Sequence, residues 1–140
     1  MWTWPRHPLR WAIVVAWMGL IFWMSSQSAS GAQSEWLLNF LASALGLEPA
    51  PPGGGVLHLG LRKLAHFSEY LVLSALFLHA LEEQPRRVLQ ALLYTVAYAV
   101  TDEWHQTLVP SRVGALTDVL IDSAGAFTAT LPALWARRGS

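Results

Sequence analysis

The sequence predicts an all-α integral membrane protein, a four-helix bundle with both termini cytoplasmic and a short amphipathic helix in the first external loop. Three observations lead there. The 140-residue chain is 54% hydrophobic and only 13% charged, with a mean hydropathy of +0.36, whereas soluble domains carry about 25% charged residues. Four apolar stretches, at about 9–24, 64–81, 88–104 and 113–135, each approach the ~20 residues that cross ~30 Å of hydrocarbon. Trp4, Trp11, Trp23, Trp104 and Trp135 gather at the ends of these stretches, as an interfacial aromatic belt requires. Buried helices of a soluble all-α protein are the alternative, but exposed faces laced with i,i+4 salt bridges are missing. Equal totals of 9 basic and 9 acidic residues argue against a nucleic-acid partner, and the lack of cysteine excludes disulfides and thiolate metal sites.

The first stretch, "LRWAIVVAWMGLIFWM", follows Arg6 and Arg10. Its basic start and the small residues "SASGA" beyond it also fit a cleaved signal peptide; its tryptophans and length favour a retained anchor. Next, "SEWLLNFLASALGL" (34–47) places apolar residues at 37, 38, 41 and 45, the spacing of an amphipathic helix lying in the interface. "EPAPPGGGV" (48–56) then breaks regular structure. The second and third stretches are marginal spans that contain polar residues, and Arg86 and Arg87 separate them. The fourth ends at Arg137 and Arg138. With four spans, the paired arginines all fall on one side, which the positive-inside rule makes cytoplasmic. Arg62, Lys63 and Arg112 are the outward exceptions. The chain reads as one domain without repeats.

This topology sends the ionisable residues to one rim. Lys63, His66 and Tyr70 form an i, i+3, i+7 stripe at the outer end of span two. Asp102, Glu103 and Gln106 end span three, and Asp118, Asp122 and Gly125 form an i, i+4, i+7 stripe at the start of span four. Ionised groups in a bilayer cost ~2.5–3.5 kcal/mol at its centre and persist by facing one another or water. Lys63 or Arg112 is therefore expected to pair with Asp102, Glu103 or Asp118. Gly125 and Ala129 would let span four approach a neighbour closely.

"RKLAHFSEYLVLSAL", "TDEWHQTLVPSRVGALTDVLIDSAG" and the "SSQS" after span one together resemble the VanZ-like family, named for a teicoplanin-resistance protein of Gram-positive bacteria. The resemblance marks Ser26, Gln27, Lys63, His66, Phe67, Tyr70, Asp102, Glu103, Gln106, Arg112, Asp118 and Gly125. Two positions depart from it: Asp122, where the family usually has asparagine, and Ala129, where a second glycine is common.

Two functional classes follow. In the first, the site binds or protects an anionic outer-leaflet lipid or lipid-linked cell-wall precursor, and the resemblance links this to glycopeptide resistance. Its ligand-binding residues are Gln27, Lys63, Tyr70, Gln106, Arg112, Asp118 and Asp122, with arginine forks and a lysine point charge meeting phosphate. In the second, an intramembrane enzyme acts on lipid or wall-precursor phosphoesters, with His66, Glu103 and Asp102 as its acid–base residues. A polar network that only fixes bundle geometry, and an ion-translocating oligomer, are the remaining readings. No cofactor is expected. Mg²⁺ between the carboxylate stripes, or Zn²⁺ on His66, Glu69, Asp102 and His105, are the metal alternatives. The partners expected are membrane lipids and a second copy of the chain, the location a bacterial plasma membrane crossed several times.

Overall fold

Four α-helices account for nearly all of the chain that the computed structural model describes, namely residues 7–26, 36, 39, 40, 43, 44, 46, 48, 55–108 and 116–136. They are α1 (Pro8–Ser26), α2 (Gly55–Ala80), α3 (Arg87–Thr107) and α4 (Leu116–Ala136). Among the described residues there is no strand. Helix α2 starts nine residues before the expected span, within the Pro/Gly-rich stretch, because helix formation resumes once Pro51 and Pro52 are passed. A tight turn links α2 to α3, with Gln84 N–H donating to Leu81 O (2.8 Å) and Arg87 N–H to Gln84 O (3.2 Å).

Successive helices run antiparallel. The start of α1 meets the end of α2, where Arg10 Nη1 donates to His79 O at 3.2 Å, and the end of α1 meets the end of α3, where Ser25 Oγ donates to Asp102 Oδ2 at 2.7 Å. Between these points Trp17 Nε1 donates to Glu69 O (3.0 Å) and Tyr98 Oη to Met18 O (2.6 Å). Helix α1 is thus tied into the bundle at three heights. The most extensive packing is between α2 and α4, and Gly125 explains it. A Cβ built there would run into the carbonyl oxygen of Phe67 and lie 3.1 and 3.2 Å from Phe67 C and Leu71 N. Only a hydrogen fits, so the two backbones touch.

The bundle is apolar outside. Trp135, Leu116 and Leu9 are 82%, 78% and 73% exposed, while Gln106, Thr95 and Ser74 are fully buried. Helices α1 and α4 are long and apolar enough to cross a membrane, yet only 17% and 22% of their apolar windows are buried. The core helix of a soluble protein would be mostly covered, so these two helices are candidate membrane spans. Helices α2 and α3 fall short on composition because they carry the charged residues described below. In the half of the bundle away from those charges, Val14, Leu73, Phe77, Leu81 and Ala91 close an apolar core, with Phe77 ringed by Trp11 (6.1 Å) and Tyr94 (5.6 Å).

That apolar end is finished by a solvated charge cluster. Glu82 accepts from Arg10, and His7 Nε2 lies 3.3 Å from Glu83 Oε1. The Arg10 hydrogen bond, reinforced by the charges of Arg10, His79 and His7, holds the Glu82 carboxyl below the usual carboxylate range. A carboxylate with a lowered folded-state pKa contributes stability above its unfolded pKa of about 4.3, and that contribution fades as pH falls through the folded value. Glu82→Gln should therefore flatten the loss of thermal stability measured between pH 5 and pH 3, and leave stability near pH 7 reduced.

Candidate functional site

The buried ionisable side chains, with Ser25 and Gln106, collect at the opposite end, where α1 and α3 finish and α2 and α4 begin. Helical periodicity sets them in three tiers. At the rim, Lys63 Nζ donates to Asp118 Oδ1 at 3.0 Å and Arg62 Nη2 lies 4.0 Å from Asp118 Oδ2. Both cationic side chains are about one-third exposed, whereas Asp118 is buried. One turn further in, His66 Nδ1 stands 3.3 Å from Asp122 Oδ1, and both side chains are buried. Neither atom makes an aligned hydrogen bond.

The third tier joins α1 to α3. Asp102 Oδ2 accepts from Ser25 Oγ at 2.7 Å and from Gln106 Nε2 at 3.1 Å, the latter an i,i+4 pair along one helix face. Gln106 Nε2 also lies 3.4 Å from Ser25 Oγ. Tyr70, fully buried, stands close enough to Asp102 and Asp122 for their charges to act on its hydroxyl. Asp122 in turn senses Asp102, Asp118 and His66. The three tiers form one electrostatic cluster.

The structure thus brings together Lys63, His66, Tyr70, Asp102, Gln106, Asp118 and Asp122. Lys63 takes one of the partners anticipated for it. His66 has Asp122 beside it, where Asp102 or Glu103 was anticipated; Asp102 is engaged instead by Ser25 and Gln106. Glu103 is buried at the same end, about 100° around α3 from Asp102. Gln27 and Arg112 lie outside the described residues. His105 packs its ring on Phe22, centroids 4.4 Å apart. Among the described residues, no three His, Asp or Glu side chains group closely enough to hold a metal ion.

Two participants were not singled out as site residues from sequence. Arg62 stood out only as an exception to the charge rule. Ser25 was passed over for its neighbour Ser26, which bonds back to Phe22 O (2.6 Å). The signal for Ser25 is its place on the buried stripe Val14, Ile21, Ser25, at i, i+7, i+11 of one helical face.

The chain is an all-α bundle with two candidate membrane spans and buried ionisable side chains gathered at one end. The family model described as VanZ-LLP1 (VanZ/LLP1) matches residues 10–137, from the first turn of α1 past the end of α4, and the chain belongs to this VanZ-like family. No curated protein and no solved structure gives a match.

Proposed function

We propose that the four helices cross a bacterial plasma membrane with both termini in the cytoplasm, and that the outward polar end binds the phosphate of an outer-leaflet lipid or lipid-linked wall precursor. The observation that carries this reading is the rim, where Arg62 and Lys63 share the single carboxylate of Asp118. Among the described residues, two cations on one anion leave a positive charge over, held at the half-buried edge where head groups would lie. A phosphate offers that charge a better partner than water does. Trp36 and Phe40, exposed and stacked at 5.7 Å, support an apolar face in the first external segment that rests on the membrane surface. Shielding such head groups is how a non-catalytic member would alter the response to a lipid-targeting glycopeptide, the role in the family's name.

Lys63→Met should lower phospholipid retention through purification by about tenfold, the size of one lost hydrogen bond to a charged group. Quantitative lipid mass spectrometry of wild type and variant checks it, and equal retention would end the reading. The His66–Asp122 pair favours a second reading. An imidazole beside a buried carboxylate is the arrangement of a general base and its orienting group. Incubating wild-type protein with defined vesicles would then change the lipid's mass, and His66→Ala would stop it. A protein that neither binds nor converts lipid, and in which these substitutions change only thermal stability, leaves the tiers as a structural network.

A further inference from the structure

The middle tier holds a proton-binding pair that phosphate recognition at the rim does not by itself require. His66 Nδ1 faces Asp122 Oδ1 at 3.3 Å, on residues 8% and 1% exposed. His66 stands one turn behind Lys63 on the same stripe of α2. Among the described residues, the charged groups that act on it are Asp122 and Asp118 from α4 and Glu69 from α2 itself. From α3, Asp102 acts on Asp122, and Glu103 is buried at the same end. Asp118 is also the carboxylate that Lys63 and Arg62 share. The histidine and the cationic rim are therefore coupled through one acidic side chain.

Resting on the phosphate reading, we infer that proton uptake by the His66–Asp122 pair regulates the rim, so that an anionic phosphodiester lipid binds more tightly at acidic than at alkaline pH. Imidazole is the side chain that ordinarily changes charge between pH 5 and pH 8. Two groups this close titrate as a pair, and whichever atom carries the proton, the tier gains one unit of positive charge. The effect depends only on that change, whatever the standing charge around it. Gly125 sets α4 against the backbone of Phe67, the neighbour of His66, so the added charge acts through space and not by parting the helices. Side chains three residues apart on a helix are neighbours, which puts a phosphate on Lys63 on the order of 10 Å from the imidazole. At that distance and an effective dielectric of ~20, a unit charge changes affinity by about tenfold. The carboxylate facing the proton offsets part of this, leaving about fivefold. The sign is opposite to that of the catalytic reading, in which His66 works as a base and must be free of its proton.

The purified full chain is titrated with short-chain phosphatidylglycerol, a diester whose charge is constant between pH 8 and pH 5.5, and with diacylglycerol of the same acyl chains, read by microscale thermophoresis. Phosphatidylglycerol should bind about fivefold more tightly at pH 5.5 than at pH 8, and diacylglycerol equally at both. His66→Gln, polar but unable to take the proton, should level the two affinities, whereas Lys63→Met should weaken both and keep their ratio. Asp122→Asn, the second variant should His66→Gln fail to fold, removes the carboxylate that holds the proton and should move the rise to lower pH. His105→Gln, at the same end but packed on Phe22, should leave the rise intact. Equal wild-type affinity at the two pH values overturns the inference while the phosphate reading stands. So does a rise that survives His66→Gln, is unmoved by Asp122→Asn, or disappears in His105→Gln. Phosphatidylglycerol binding no better than diacylglycerol at either pH overturns the phosphate reading, and the inference with it.

Discussion

Replacing Gly125 with alanine is expected to lower the thermal unfolding midpoint in detergent, although alanine favours helix over glycine by ~1 kcal/mol. The two effects oppose, and geometry decides. The new methyl group would run into the Phe67 carbonyl oxygen and stand 3.1 Å from its carbon. Both are backbone atoms inside a helix, so neither can swing aside as a side chain would. Relief requires α2 and α4 to separate, and overpacking of this kind costs typically 1–3 kcal/mol. A net loss of roughly 1–2 kcal/mol follows for alanine, and more for valine. Gly19→Ala is the control: nothing lies within 4 Å of its Cβ position, so only the helix-favouring term remains and stability should hold or rise. Because α2 carries Lys63 and His66 and α4 carries Asp118 and Asp122, Gly125→Ala should also widen both pairs and weaken lipid retention. Equal midpoints for the two alanine variants would contradict the close approach.

The tier that Gly125 supports was legible from spacing. Lys63, His66 and Tyr70 on one stripe, and Asp118, Asp122 and Gly125 on another, follow from the helical repeat alone, and the alternating direction of the four helices follows from counting four apolar stretches. Pairing across helices was less legible. Which acid meets His66 depends on how far α3 and α4 slide along α2, and periodicity says nothing about sliding. The contact of Gly125 with Phe67 fixes that register for α4 and sets Asp122 beside His66. Ser25 was hidden for a related reason. A serine near the end of an apolar helix is a common interfacial residue, and its worth comes from Asp102, 77 positions away. Helix α2's extension to Gly55 was masked by glycines, which permit a helix start without announcing one.

Asp102→Ala should detach the end of α1, and the argument turns on what is left behind. In the native chain Asp102 Oδ2 accepts hydrogen bonds from Ser25 Oγ at 2.7 Å and Gln106 Nε2 at 3.1 Å, all three side chains at most 5% exposed. Alanine strands the buried Ser25 hydroxyl at a cost of about 1–3 kcal/mol and removes one bond of Gln106 Nε2, which keeps Ser25 Oγ within 3.4 Å. Removing a buried charge returns part of its desolvation penalty, and interhelical hydrogen bonds in membranes average only about 0.6 kcal/mol. The net expectation is therefore a loss of roughly 1–2 kcal/mol. Asp102→Asn separates the terms, because the amide keeps an acceptor for Ser25 while giving up the charge; it should lose less than about half as much. Ser25→Ala and Asp102→Ala should not add, since each removes the same bond, and the double-mutant cycle measures their coupling. The local readout is hydrogen exchange. Besides this bond, the last turns of α1 meet α3 through the tilted ring contact of Phe22 with His105 at 4.4 Å and through Gln106 Nε2 on Ser25 Oγ at 3.4 Å. Their amides should exchange faster in Asp102→Ala, while the first turns, anchored by Arg10 at the far end, stay protected. Uniform acceleration along α1 would mean that the helix is held as a single unit and that Ser25–Asp102 is not its outer clasp.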